Sequence, residues 1–205
     1  MRIIAGIARN IELAAPPGIG VRPTAVRARK ALFDSIGSRL AGSVVLDLCA
    51  GSGALALEAA SRGAAAATLV EADQRHIRVI EENVARVKKA GVACDFRLIN
   101  GRAEAVTAYA GLCGKPDVIF ADPPYAESAA LFGKLLADGN FTAFAAGALL
   151  VWEIPDSPGS VGAFLQAEKL ARRQIRKFGG TDFLLRVRQT VSFSGNPYIR
   201  LSDGK

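Results

Sequence analysis

The chain has 205 residues, half of them hydrophobic, with a mean hydropathy of +0.23 and a net charge of +7. That length supports one domain with a sizeable core; Arg62 and Glu71 interrupt the richest apolar region, so no stretch reads as a membrane span. Cys49, Cys94 and Cys113 are scattered and form no C-x-x-C pair, so neither a metal site nor a disulfide framework is expected, and a reducing cytoplasm fits.

The start, Met1-Arg2-Ile3-Ile4-Ala5-Gly6, lacks the long apolar core of a signal peptide. From Arg2 to Leu13, short apolar groups separated by Gly6 and by Arg9-Asn10 predict a small hairpin. Pro16-Pro17-Gly18 and Gly20 make a loop. A helix then runs to Ile36, with Thr24 as its expected N-cap and Val26, Leu32, Phe33 and Ile36 as its apolar stripe. Arg27 and Lys30 lie one turn apart. With Arg22 just before the helix and Arg29 inside it, four cations gather at one helix start, which favours phosphate contacts over a merely solvated face.

Val44 to Leu48 reads as a β-branched strand that runs through Asp47 into Gly51-Ser52-Gly53 and an Ala/Leu-rich helix ending near Gly63. Glycines there let a ligand approach the backbone at a helix N-terminus. The next strand ends in Glu71, a carboxylate placed to hold ribose hydroxyls, whether of a nicotinamide cofactor or of S-adenosylmethionine. Asp47 suits the second, whose amino-acid part is positively charged, better than it suits a pyrophosphate. Gln74 to Lys89 is a charged helix carrying the only histidine, His76, read as a bystander. A third strand covers 94–99, a short helix 102–110, and a fourth strand Val118 to Ala121.

That fourth strand ends in Asp122-Pro123-Pro124-Tyr125. Proline fixes φ and removes a backbone donor, so the turn is stiff. It stands at the carboxyl end of a strand, where open α/β sheets bind ligands. Asp122 and the Pro123 carbonyl can accept hydrogen bonds, and Tyr125 offers a flat face. Two acceptors beside an aromatic platform suit a planar group with an exocyclic amine, such as a nucleobase flipped from its stack. A helix over 128–137, a fifth strand over 148–153, a short helix at 163–166 and an antiparallel hairpin over 168–188 with Gly179-Gly180 as its turn complete the prediction.

Charge is unevenly spread. Residues 1–40 hold seven Lys/Arg against two Asp/Glu, residues 41–165 ten against fourteen, and residues 166–205 nine against three. An acidic middle between basic ends points to a polyanionic partner. The expected division is a basic RNA-facing extension at 1–40, a catalytic domain at 41–190 and a tail at 191–205.

Four pieces in order resemble the RsmD family of bacterial small-subunit ribosomal RNA guanine-N2 methyltransferases. They are Arg2-Ile3-Ile4-Ala5-Gly6; Arg22-Pro23-Thr24 with Arg27, Arg29 and Ala31-Leu32-Phe33; Asp47 with Ala50-Gly51-Ser52-Gly53; and Asp122-Pro123-Pro124-Tyr125. The last two occur across amino-methyltransferases, whereas the first two in this order are more specific. The resemblance covers about residues 1–190. It implies a Rossmann-like α/β fold with a seven-stranded, mostly parallel sheet closed by an antiparallel hairpin, with S-adenosylmethionine as cofactor. It further implies 16S ribosomal RNA as substrate, within an assembling 30S particle or free, and a monomer acting in the cytoplasm. Asp47, Cys49, Gly51 and Gly53 would line the methionine part of the cofactor. Glu71 with Ala72 would hold the ribose, and Arg102 with Ala103 would lie by the adenine. Asp122 to Tyr125 would hold the target base, and Arg22, Thr24, Arg27, Arg29 and Lys30 the RNA. Cys49 stands where relatives often have Phe, Val26 and Lys30 where they often have acids, and Arg102 where an Asp or Asn often meets the adenine amine. A DNA adenine-N6 or cytosine-N4 methyltransferase shares the Asp122 motif but needs a recognition domain for which this length leaves no room. A non-catalytic ribosome-assembly factor would not need both ligand turns intact.

Overall fold

In the computed structural model, residues 1–16 and 26–154 are described in full, and 23–25, 173–178 and 181–187 by their backbone. Pro23–Ile36 forms α1, followed by a 3-10 turn at Gly37–Arg39. Then come β1 (Val44–Leu48), α2 (Ala54–Ser61), β2 (Ala66–Glu71), α3 (Gln74–Lys89), β3 (Asp95–Asn100), α4 (Val106–Ala110) and β4 (Val118–Ala121). After these lie α5 (Tyr125–Ala137), α6 (Gly139–Phe144), β5 (Leu149–Ile154), β6 (Arg173–Phe178) and β7 (Thr181–Val187).

The strands lie in the order β3-β2-β1-β4-β5-β7-β6. β1 to β5 are parallel; β7 pairs antiparallel with β5, and β6 antiparallel with β7. The chain moves outward from β1 through β2 to β3, then returns to set β4 against the other side of β1. That reversal opens a crevice between the carboxyl ends of β1 and β4, where such sheets bind ligands. Leu48 pairs with Ala121, so the β1 turn and Asp122 leave the sheet side by side.

Both faces of β1, β2, β4 and β5 are covered, as continuous apolar strands require. Val45, Leu69, Phe120 and Val151 face a cluster with Leu32, Phe33 and Ile36 of α1 and the buried faces of α2 and α3. Leu46, Val70, Ile119 and Trp152 face a second cluster with α4, α5 and α6. The predicted stripe of α1 is inside: Leu32 and Phe33 are fully buried, and Phe33 stacks at a tilt on Phe120 with ring centres 5.4 Å apart. On the other face Trp152 packs edge-on to Phe132 at 5.0 Å and donates its indole N–H to the Ser128 hydroxyl at 2.9 Å.

The amino-terminal segment shares the first of these cores: Ile3, Ala8 and Leu13 are buried in it. Arg2 and Glu12 form one antiparallel bridge, so the predicted hairpin is minimal. It is bolted to α2. The Glu58 carboxylate, fully buried, accepts from the Ile4 and Ala5 amides at 2.7 and 3.1 Å and from the Arg62 Nε at 2.8 Å. The fit is close enough that a Cβ on Gly6, at φ +84°, would lie 1.8 Å from the Ser61 carbonyl oxygen.

Some boundaries differ from expectation. Pro23 already begins α1, so Thr24 lies within the first turn rather than at its cap; proline's fixed φ suits the first helical position. α5 begins at Tyr125 because Pro124, the residue before it, forces the turn to end there. α4 is shorter than predicted, and α6 arises because the Asp138 carboxylate caps the Asn140 and Phe141 amides. The expected helix at 163–166, the turn at Gly179-Gly180 and the tail at 191–205 lie outside the described residues.

Candidate functional site

The two turns predicted to carry ligands meet at the β1–β4 crevice. Asp47 ends 1 % exposed beneath the glycine turn, its Oδ2 accepting from the Ala56 amide at 3.1 Å. Burial pushes its carboxyl well above the usual range, the Ala56 bond opposes that, and the nearby charges of Asp122 and Glu71 push it further. Asp122 and Glu71 thus bear on Asp47 across the crevice, and a cationic ligand beside Asp47 would relieve the cost of its ionisation.

The turn itself is left-handed at Cys49, Gly51 and Gly53, with φ of +61°, +58° and +76°. Cys49 is the one member with a side chain, so it holds a conformation that L residues seldom adopt. Burial, then the Glu71 and Asp47 charges, push its thiol up to about 12, so it stays neutral at pH 7 and is a packing group rather than a nucleophile. A Cβ on Gly53 would sit 3.0 Å from Leu69, whereas one on Gly51 would meet nothing within 4 Å. Gly51 therefore faces open space at the head of α2, room that a bound group can fill.

Glu71, at the end of β2, is 8 % exposed and wired before any ligand arrives. Its Oε2 accepts from the Gly51 amide at 2.8 Å and its Oε1 from the Asp73 amide at 2.9 Å. A carboxylate has about four acceptor sites, so two amides aim it without exhausting it. Asn100 donates to the Glu71 and Ala72 carbonyls, both at 3.0 Å, locking β2 to β3 at this end. His76 is closer to the site than the sequence indicated: its Nδ1 lies 3.5 Å from Glu71 Oε1. Its place in the first turn of α3, three residues past the Asp73 cap, was the available signal.

Arg102 is turned outward, its Nε 2.8 Å from Glu104 and its side chain 65 % exposed. Ala103 is buried, and its carbonyl takes the Tyr109 hydroxyl at 2.8 Å. Across the crevice, Asp122 and Pro124 are exposed and Pro123 is buried. Tyr125 is 44 % exposed at the first position of α5, with its hydroxyl 3.5 Å from Glu153.

The proposed RNA contacts separate. Arg27 and Lys30 face solvent; Lys30 pairs with Asp34 at 2.5 Å. Arg29 does not join them. It is 6 % exposed, its guanidinium donating to the Arg2 carbonyl at 2.6 Å and lying 2.7 Å from the Met1 sulfur, so it fastens α1 to the amino-terminal strand. Burial lowers its pKa, against the Glu58 charge, which raises it. Arg29 lies three, four and seven residues from Leu32, Phe33 and Ile36, so helical periodicity already placed it on the inner face. Arg22 lies outside the described residues, and of Thr24 only the backbone is described. Among the described residues no group of side chains could hold a metal ion, and no helix is long and apolar enough to cross a membrane.

A family model described as conserved hypothetical protein 95 matches residues 1–186. Ribosomal RNA small subunit methyltransferase D of Escherichia coli K12 is 40% identical over 125 residues, a match that spans 61% of this chain and 60% of that protein's length. A hypothetical protein of Thermus thermophilus has a solved structure that superposes with a TM-score of 0.70 at 35% identity, over 92% of this chain and 99% of that one. An O-methyltransferase from Bacillus cereus, solved in complex with SAH, shares the fold alone: its TM-score is 0.57 at 16% identity, over 85% and 84% of the two chains.

Proposed function

The chain belongs to the conserved hypothetical protein 95 family, the RsmD family, and on that premise we propose that it methylates the exocyclic N2 amine of a guanine in 16S ribosomal RNA, using S-adenosylmethionine. The observation that carries the reading is the adjacency of two unlike turns: an acidic, glycine-lined cradle at β1 and an exposed Asp-Pro-Pro-Tyr turn at β4, held side by side by the Leu48–Ala121 register.

The cradle fits the cofactor by its chemistry. Asp47 and the Gly51–Gly53 backbone would hold the cationic amino-acid part, and the open space at Gly51 admits it. Glu71, aimed by two amides, keeps acceptor capacity for ribose hydroxyls. Because Arg102 is paired with Glu104 and the Ala103 carbonyl with Tyr109, an adenine contact falls to the Ala103 amide. The cofactor supplies a methyl group already activated as a sulfonium, so this chain's part is position: it must set the amine nearly in line with that carbon.

An aryl amine is a weak nucleophile because its lone pair is shared with the ring. Asp122 and the Pro123 carbonyl would accept its two N–H groups, orient the remaining lone pair and stabilise the charge that grows on nitrogen. The amine exchanges one hydrogen for the methyl group, and that proton leaves to water along the exposed side of Asp122. Tyr125 would stack on the flipped base. Arg27 and Lys30, with the basic segments at both ends of the chain, would meet phosphates.

The test is to incubate the protein with labelled S-adenosylmethionine and either ribosomal RNA, 30S particles or duplex DNA, then digest and identify the modified nucleoside. N2-methylguanosine from RNA or particles is the expected product. Label in N6-methyladenine of DNA, or in nothing, rules the reading out.

A further inference from the structure

α3 is an amphipathic helix whose buried stripe contains one polar residue. Among Ile77, Ile80, Val84 and Val87, Asn83 is fully buried. Its side chain is fully engaged as a donor, on two segments far apart in sequence. Nδ2 donates to the Ser52 carbonyl at 2.9 Å and to the Ala14 carbonyl at 3.0 Å, while Oδ1 accepts from the Ala14 amide at 2.7 Å. Ser52 is the middle residue of the glycine turn. Ala14 belongs to the strap 11–16, which leads in sequence to α1 with Arg27 and Lys30. One turn along α3, Arg86 holds the same strap by the Glu12 carbonyl at 2.8 Å.

A buried apolar residue would fill this space without desolvating a carboxamide, so the amide is there for what it joins. A carboxamide is planar, and its donors and acceptor are fixed relative to one another. A shift of the Ser52 carbonyl therefore reorients the group that holds both backbone atoms of Ala14. We propose that Asn83 is a positioning residue that couples the cofactor turn to the amino-terminal strap, so that cofactor and RNA bind cooperatively. The RNA half rests on the function proposed above; the coupling of turn to strap does not.

Two measurements test it. Hydrogen exchange of the parent protein with S-adenosylhomocysteine should slow not only at 50–54 but also at the Ile3 and Leu13 amides, which bond to Ile11 and Met1 rather than to Asn83. Slowing confined to 50–54 overturns the proposal, whatever any variant does. RNA affinity, read by fluorescence anisotropy, should improve about fivefold or more with saturating S-adenosylhomocysteine, and that ratio should fall to one in Asn83→Leu. A merely structural amide would lower the melting temperature and weaken both ligands while leaving the ratio intact, and that result also overturns the proposal. If the parent binds no RNA, the RNA reading fails by itself, and the exchange experiment still decides the coupling.

Discussion

The two turns that flank the β1–β4 crevice are built on opposite plans. The one after β1 is finished before any ligand arrives. Its carboxylates are buried, Glu71 is held by two amides, and its backbone is left-handed at three positions. The one after β4 is stiffened by two prolines, yet it presents Asp122 and Tyr125 to solvent. A cradle that meets the same small molecule in every turnover gains from being preorganised, because ordering costs are met on folding rather than on binding. A turn that must admit a base extruded from a large RNA needs stiffness and an open face instead. Substitutions on the two sides should therefore fail differently.

The largest effect belongs to the open turn. Asp122→Ala should lower single-turnover methyl transfer by about 10²–10³-fold, the range for losing one group that stabilises developing charge. S-adenosylhomocysteine affinity by calorimetry should stay within a few-fold, and equal losses in both would erase the distinction between the turns. On the wired side, Glu71→Ala should weaken S-adenosylhomocysteine by about 1–3 kcal/mol. It also strips the Gly51 and Asp73 amides of their acceptor, so its melting temperature should drop.

Asp47 gives the comparison a pH axis. Its carboxyl is held above the ordinary value by burial first, so in the folded chain ionisation is disfavoured. The resulting destabilisation is absent below the unfolded pKa of about 4, grows as pH rises toward the folded value, and is complete above it. Without ligand, Asp47→Asn should therefore melt higher than the parent at pH 7, and the gap should close as the pH falls toward 4. The same variant should gain less from added S-adenosylhomocysteine. A gap that widens on acidification would reverse the sign assigned to this burial. The smallest effect concerns α1: Arg27→Ala should flatten the log–log salt slope of RNA binding by about one unit, while Arg29→Met should leave that slope unchanged and lower stability.

The parts legible in the sequence were those whose chemistry is local. Asp47 before a glycine turn, Glu71 at the end of the next strand and two prolines after Asp122 are patterns of spacing, and the fold places them where such spacing requires. α3 runs from Gln74 to Lys89 as its charge and Gly91 indicated. What stayed hidden depends on partners distant in sequence. Periodicity sets Arg29 on the inner face of α1, but the carbonyl that receives it there belongs to Arg2, 27 positions away. Asn83 is one polar residue in a charged helix, and only the approach of Ala14, 69 positions away, gives it a role. Thr24 was misplaced for a local reason, since Pro23 can itself occupy the first helical position.

The chain contains a single tryptophan, and Trp152 is buried with its indole N–H on Ser128 of α5, three residues after Tyr125. The protein thus carries one optical reporter, wired to the helix that the open turn begins. A shift of α5 as a base enters would stretch that bond and change the polarity around the indole, altering the colour and lifetime of its emission. Events confined to the cradle after β1 lie on the far side of β4 from this fluorophore and should stay dark. Intrinsic fluorescence in a stopped-flow mixer can therefore time the two ligands separately, without a label on either.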